Sequence, residues 1–401
     1  MRRRTGFALP LALMFLIALA AQAQPNECNA RGASPSMTVA LDSRPFAVTS
    51  SADGCWIFVS LMGPGKTGIQ VLKRGAGRIE PFRFVPLKSQ PGGIVLTHDG
   101  KLLIAALASG MESVVFLDVP RMTSGAADPV LGSFPDELGS VLTESIYVNV
   151  TADDKLLFVS EEAYRAITVI DLERVRANGY KRSVIGMIPV GNAPIALNVS
   201  PDGKWLYSTS QGAAPDWKWP KACKPEGQDP AKAQLINPEG AVVVIDVERA
   251  RTEPAQAVAA RVPAGCSPVR MAISPRGDRI YVTARNSNAV LAFDTAKLLS
   301  DAEHARVGTA PVGAAPVPIA VVDGGRKVVA GNSNRFGNAN DPQSLVVLNV
   351  AKIKDDAEAT LGTIPAGAFP REMSVSADGG TLFLTNFGSS SLQVMDVNRL
   401  P

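Results

Sequence analysis

The stretch Ile195-Ala196-Leu197-Asn198-Val199-Ser200-Pro201-Asp202-Gly203-Lys204-Trp205-Leu206-Tyr207-Ser208-Thr209 decides the fold. Two short runs rich in β-branched and aromatic side chains flank a Ser-Pro-Asp-Gly break. Runs of that length and composition read as strands, and the Asp-Gly between them reads as a hairpin turn, because it tolerates positive φ. The same turn returns as Ser51-Ala52-Asp53-Gly54, Thr97-His98-Asp99-Gly100, Thr151-Ala152-Asp153-Asp154, Ser274-Pro275-Arg276-Gly277, Val321-Val322-Asp323-Gly324 and Ser376-Ala377-Asp378-Gly379. Its third position falls at 53, 99, 153, 202, 276, 323 and 378, so the chain holds seven units of about fifty residues.

Each unit adds a third apolar run, such as Val242-Val243-Val244-Ile245-Asp246, and a more variable fourth ending near a Pro-Val-Gly such as Pro189-Val190-Gly191. Four strands repeated seven times predict an all-β chain folded as a seven-bladed β-propeller. The last unit supplies three strands, about 372–375, 381–385 and 392–397, while Thr38-Val39-Ala40-Leu41 stands before the first unit without a hairpin of its own. The N-terminal strand is therefore expected to complete the C-terminal blade and close the ring, which leaves no open edge.

Tyr281-Val282-Thr283, Leu384-Thr385-Asn386, Ser200-Pro201-Asp202-Gly203 and Val169-Ile170-Asp171 resemble the YVTN β-propeller repeat of exported bacterial proteins, akin to the lactonase-like seven-bladed propellers. The resemblance covers roughly residues 37 to 400. It implies the fold strongly and a function weakly, since the motif consists of turn and core residues.

Met1-Arg2-Arg3-Arg4, an apolar run from about Phe7 to Ala20, and Ala21-Gln22-Ala23 form the pattern of a secretory signal cut after Ala23. Arg3-Arg4 with Phe7 leaves both Sec and twin-arginine export open. Residues 24–401 then form a single propeller domain, periplasmic or secreted, with no transmembrane segment. Removing the three arginines leaves 37 Lys plus Arg against 37 Asp plus Glu, a balance without the footprint that binds nucleic acid. Hydrophobic residues at 46% and charged ones at 19% supply a packed core and argue against disorder.

In such a blade the loops between strands 2 and 3 and from strand 4 into the next blade share one face, and the Asp-Gly turns lie on the other. This sorts the four cysteines. Cys28 and Cys55 fall on the turn face, Cys223 and Cys266 on the loop face, which predicts the disulfides Cys28–Cys55 and Cys223–Cys266 in an oxidising compartment. The two histidines, His98 and His304, sort to the turn face, leaving no imidazole on the loop face as general base. Asn149 and Asn198 match glycosylation sequons but lie on inner strands, where their amides are expected to satisfy neighbouring backbone.

The long loops gather on the loop face. An insertion at 211–240 explains the longest spacing and carries Trp217, Trp219 and Cys223, while a second loop, 331–343, carries Asn332, Asn334, Arg335, Phe336 and Asn340. The tryptophans are read either as walls of a pocket or as packing of the insertion onto the disc. Residues beside the proline that opens most inner strands crowd the channel mouth: Arg44, Gln90, Glu144, Tyr147, Asn192, Arg270, Arg371 and Glu372. Arginines there suit a carboxylate or phosphate, since a guanidinium fork matches both. Pairing of Arg270 and Arg371 with Glu144 and Glu372 into ion pairs that stitch the blades is the competing expectation.

The favoured reading is a monomeric binding or scaffold module without metal, cofactor or catalytic residues. It takes an unknown small-molecule or protein partner through Arg44, Glu144, Tyr147, Arg270, Arg371 and Glu372 at the channel mouth. Loop-face contacts come from Trp217, Trp219, Arg335, Phe336 and Asn386. The alternative implied by the resemblance is a lactonase-like hydrolase at the channel mouth, with a divalent cation such as Ca2+ polarising the carbonyl. A third is a non-redox subunit of a periplasmic enzyme complex, whose sign is an exposed apolar patch.

Overall fold

The computed structural model describes residue 28 and residues 34–109, 112–135, 144–228, 232–337, 341–354 and 357–401. The expected signal, residues 1–23, and Asn340 lie outside them. Seven four-stranded antiparallel sheets are arranged as a seven-bladed propeller. Their innermost strands are Pro45–Ser50, Pro91–Leu96, Ser145–Val150, Asn192–Val199, Pro268–Ile273, Pro316–Val322 and Pro370–Val375, for blades 1 to 7. Each packs against the inner strands on either side, and the seventh against the first. Ser36–Ala40 pairs with Ser391–Asp396, from Ser36 opposite Met395 to Ala40 opposite Ser391, so the N-terminal strand is the outer strand of blade 7. No helix among the described residues is long and apolar enough to cross a membrane.

The turn motif closes by side-chain chemistry. In Ser200-Pro201-Asp202-Gly203 the Ser200 hydroxyl donates to Asp202 Oδ1 at 2.5 Å and accepts from Trp205 N at 3.0 Å, while Gly203 N donates to the Ser200 carbonyl at 2.8 Å. The Ser200 hydroxyl holds the Asp202 carboxyl below its ordinary range. Only the fourth position is left-handed, with Gly203 at φ 73°, so the turn is a four-residue loop with one such residue rather than a tight hairpin with two. In blade 3 that position is Asp154 at φ 52°, and its buried carboxylate accepts His98 N and Asp99 N at 2.9 and 3.0 Å. The departure from glycine there ties blade 2 to blade 3.

The threonine of the repeat has an equally local reason. Thr283, buried on the second strand of blade 5, donates its hydroxyl to Val317 O of blade 6 at 2.8 Å and accepts from Arg270 N at 3.2 Å. Thr209 does the same between blades 4 and 5, and Thr385 reaches Phe46 O at 3.0 Å to join blade 7 to blade 1. Each hydroxyl fills the place where the inner strand slips register after its proline, so a buried peptide group is not left unpaired. The aspartate that ends the third strand caps a short helix: Asp118, Asp171 and Asp246 accept from Arg121 N, Arg174 N and Arg249 N. Apolar side chains fill the spaces between neighbouring sheets, with Phe58, Phe116, Phe158, Phe293 and Phe383 fully buried. The core is thus a ring of clusters around a channel.

Both disulfides pair as the topology predicts, Cys28 with Cys55 and Cys223 with Cys266.

Candidate functional site

Every inner strand starts at the loop face and ends at the repeated turn, which is Asp-Gly in five blades, Asp153-Asp154 in blade 3 and Arg276-Gly277 in blade 5, so its first residues rim the mouth of the channel. In blades 3 to 7 the residue before the opening proline, or before Ser145 in blade 3, is left-handed: Glu144, Ala193, Ser267, Ala315 and Phe369 have φ of 44, 46, 52, 49 and 52°. An ordinary side chain in that conformation costs on the order of 1 to 2 kcal/mol. Because five blades share it, the kink belongs to the architecture. In blades 3 and 7 it presents Glu144 and Phe369 at the mouth.

Three blades that are not neighbours meet on the axis. Arg270 of blade 5 donates through Nε to Glu372 Oε2 of blade 7 at 2.7 Å, and the two side chains are only 4% and 13% exposed. The Arg270 guanidinium lies over the Tyr147 ring of blade 3, 4.3 Å from its centroid. This bolt forms the floor of the mouth. Below it the channel holds a cavity of about 290 Å³, whose lining includes Asn149, Asn198, Ile273, Val321 and Val375. Asn149 donates to Leu197 O at 2.7 Å, joining blades 3 and 4. Burial, with the Glu372 carboxylate beside it, holds the Tyr147 phenol well above its ordinary range. Tyr147 is a neutral platform for the cation. Burial works against the charge on Arg270, yet Tyr147 and Glu372 hold it above the usual guanidinium value.

Charge on the floor does not balance. Arg371, the neighbour of Glu372, stacks on Phe46 at 4.3 Å with Phe369 and Phe387 at 5.6 and 6.0 Å. Its Nε is buried without an acceptor, as are Nη1 and Nη2 of Arg270. Burial first, then Arg270 and Arg335, push the Arg371 guanidinium down to about 9. A buried cation, Arg270, thus takes the one carboxylate and the half-buried Arg371 beside it has none within ion-pair distance among the described residues, and a group that remains uncompensated in low dielectric is costly. Arg44 extends the basic side from blade 1, over Phe387 at 5.5 Å.

Two loops overhang this floor. Glu226 of the insertion takes the buried Arg285 in a bidentate pair, Nε to Oε1 at 2.7 Å and Nη2 to Oε2 at 2.6 Å. Arg285 Nη2 also donates to Gln211 Oε1 at 2.7 Å, and Gln211 Nε2 donates to Glu162 Oε1 at 2.9 Å, a relay across blades 5, 4 and 3. Phe336 from the second loop lies so close to Gly227 that a Cβ there would meet its ring at 3.2 Å. Burial and Arg285 lower Arg335 from its usual range.

The structure therefore brings Arg44, Glu144, Tyr147, Arg270, Arg371 and Glu372 to one mouth, with Arg335 and Phe336 above it. It does not bring Trp217 and Trp219 there. They stack on each other at 5.3 Å, and Trp217 carries Arg261 of the outer strand at 5.1 Å, in a rim groove lined by Tyr164, Met187 and Pro189. The tryptophans thus pack the insertion onto the disc. Asn386 is buried inside blade 7, facing Ser391 and Gln393. Sequence reading missed Phe46, Glu162, Gln211, Glu226 and Arg285. Glu162 and Arg285 each follow a second strand directly, the same offset that placed the longer loops on this face, and that offset is the signal by which they were findable.

No protein-family model and no curated protein matches the chain. Among solved structures, a chain of Kuenenia stuttgartiensis hydrazine synthase superposes with a TM-score of 0.64 over 90% of this chain and 97% of that one, at 17% sequence identity. The likeness is one of fold.

Proposed function

We propose that the protein is an exported, monomeric binding module of YVTN type, residues 24–401 forming one propeller, that takes a carboxylate- or phosphate-bearing small molecule at the channel mouth on its loop face. The observation that carries this is Arg371, a guanidinium in the mouth with no carboxylate within ion-pair distance among the described residues, depressed by burial and by like charge. Such a group is stabilised by an incoming anion, and its stacking on Phe46 aligns it beforehand. Two disulfides are consistent with an extracellular protein, and the cationic and apolar pattern of the first residues supports export. A hydrazine synthase chain of the same fold lends no chemistry to this one, because a propeller hosts unrelated functions. The lactonase-like alternative counts Arg270 among its channel-mouth residues, with a divalent cation polarising the carbonyl, whereas Arg270 is already committed to Glu372 and Tyr147.

The test is calorimetric titration and thermal shift of the purified protein with a panel of small carboxylates and phosphates. A ligand present at a hundred times its Kd stabilises the fold by about 2.7 kcal/mol. Arg371→Gln is expected to abolish that response. Equal responses from both proteins, or none from the wild type, remove the reading.

A further inference from the structure

The mouth is not uniformly basic. In a ring of seven, the blades farthest from blade 3 are 6 and 7. Blade 3 contributes Glu144 and Glu162, whose backbones are joined by a hydrogen bond from Glu162 N to Glu144 O at 3.1 Å. Blades 6 and 7 contribute Arg335 and Arg371. Across the channel, then, a pair of carboxylates faces a pair of guanidiniums. No ion pair joins the two walls among the described residues, the Glu162 carboxylate acting on Arg335 and Arg371 only at longer range, and each wall holds like charges side by side. Burial, and then Glu162, raise the Glu144 carboxyl above its ordinary range, as burial and Arg270 lower Arg371. Between the walls lies the floor, where Arg270 keeps two buried nitrogens without acceptors and the Phe46 and Tyr147 rings are covered by Arg371 and Arg270.

The geometry points to a zwitterion as the ligand: a small molecule whose carboxylate docks on Arg371 and Arg335 and whose ammonium group docks on Glu162 and Glu144. This rests on the anion-binding reading above and deepens it. A plain carboxylate satisfies the basic wall but carries its charge toward two carboxylates. A plain amine does the reverse. Only a molecule with both charges relieves both walls, which makes each wall a rejection device against half of the alternatives.

The discriminating experiment titrates the wild-type protein with the ω-amino acids from glycine to 8-aminooctanoate, the matched alkanoates and the matched alkylamines. At one chain length the amino acid is expected to bind at least tenfold more tightly than its alkanoate and its amine. Glu162→Gln should erase that advantage and leave the alkanoate unchanged or slightly tighter, while Arg371→Gln should remove both. Alkanoates that equal or exceed the amino acids at every length, with Arg371→Gln still abolishing them, overturn the zwitterion and leave the anion site standing. An advantage that survives both Glu162→Gln and Glu144→Gln overturns the assignment of the acidic wall. If no probe binds, or binding ignores Arg371, the anion reading falls and takes this inference with it.

Discussion

The two faces of the disc are built by opposite rules. On the turn face five blades, 1 to 4 and 7, repeat one turn, its Ser or Thr hydroxyl donating to the Asp two residues on, as in Ser376 to Asp378 at 2.5 Å with Thr381 N to Ser376 at 2.9 Å, and in blade 5 Asp278 takes the Ser274 hydroxyl instead. On the loop face five blades share a left-handed residue before the inner strand, but the side chains differ from blade to blade, and among the described residues Arg371 stands without an ion-pair partner. The difference teaches that stability is supplied by what repeats, while binding is read from what departs from the repeat. Arg270, Arg371, Glu144 and Glu162 occupy positions that hold apolar or small residues in most other blades.

The largest effect that separates the faces is expected at the bolt. Glu372→Gln leaves a buried guanidinium without its carboxylate and should cost about 3 to 5 kcal/mol, read as a fall in the urea midpoint. Arg371→Met, one residue away, should cost under about 0.5 kcal/mol, because it removes an unpaired cation whose charge the fold disfavours. If the two variants are equally destabilised, Arg371 is a structural residue and the contrast collapses.

Next come the disulfides, one on each face. Replacing either pair with serine should cost about 2 to 4 kcal/mol, since the loops closed are of similar length, 27 and 43 residues. Only loss of Cys223–Cys266, which staples the insertion carrying Glu226 and Gly227, should also weaken ligand binding. Equal loss of affinity in both would show that the overhang plays no part.

Titration supplies a finer probe. With Arg371 at about 9 in the free protein, carboxylate affinity should be flat below pH 9 and fall about tenfold, or 1.4 kcal/mol, per pH unit above it. The sign follows from linkage: an anion favours the charged guanidinium, so binding near pH 9 takes up a proton, measurable by calorimetry in buffers of different ionisation enthalpy. In the unliganded protein the same depression makes Arg371 a destabilising group below pH 9, a penalty that fades as pH rises toward the unfolded value. A profile unchanged in Arg371→Gln would assign the titration elsewhere. The smallest expected effect lies on the turn face, where Ser200→Ala should cost about 1 kcal/mol without altering affinity.

The fold was legible because its signal is local and repeated. An Asp-Gly between two β-branched runs needs no knowledge of the distant chain, and sevenfold recurrence excludes coincidence. The mouth was half legible. Its charged residues follow from their offset to the opening proline, yet which of them pair depends on reach across the axis, between blades 102 residues apart in the case of Arg270 and Glu372. Phe46 reads in sequence as one more apolar inner-strand residue, and only the neighbouring guanidiniums reveal it as a stacking surface. Trp217 and Trp219 left two readings open, pocket wall or packing of the insertion, because composition does not say what a long loop lies against, and their packing on the core decides for the second.

The ladder joining residues 36–40 to residues 391–396 sets the order in which the molecule assembles. Its partners are nearly a whole chain apart, so it zips last and slowly, and until it does the ring has two raw edges open to other molecules. The bridge from Cys28 to Cys55 moors the leading segment beside the first hairpin and shrinks the volume that the final strand must search. A chain oxidised early should therefore gain most in yield, through fewer misassembled rings.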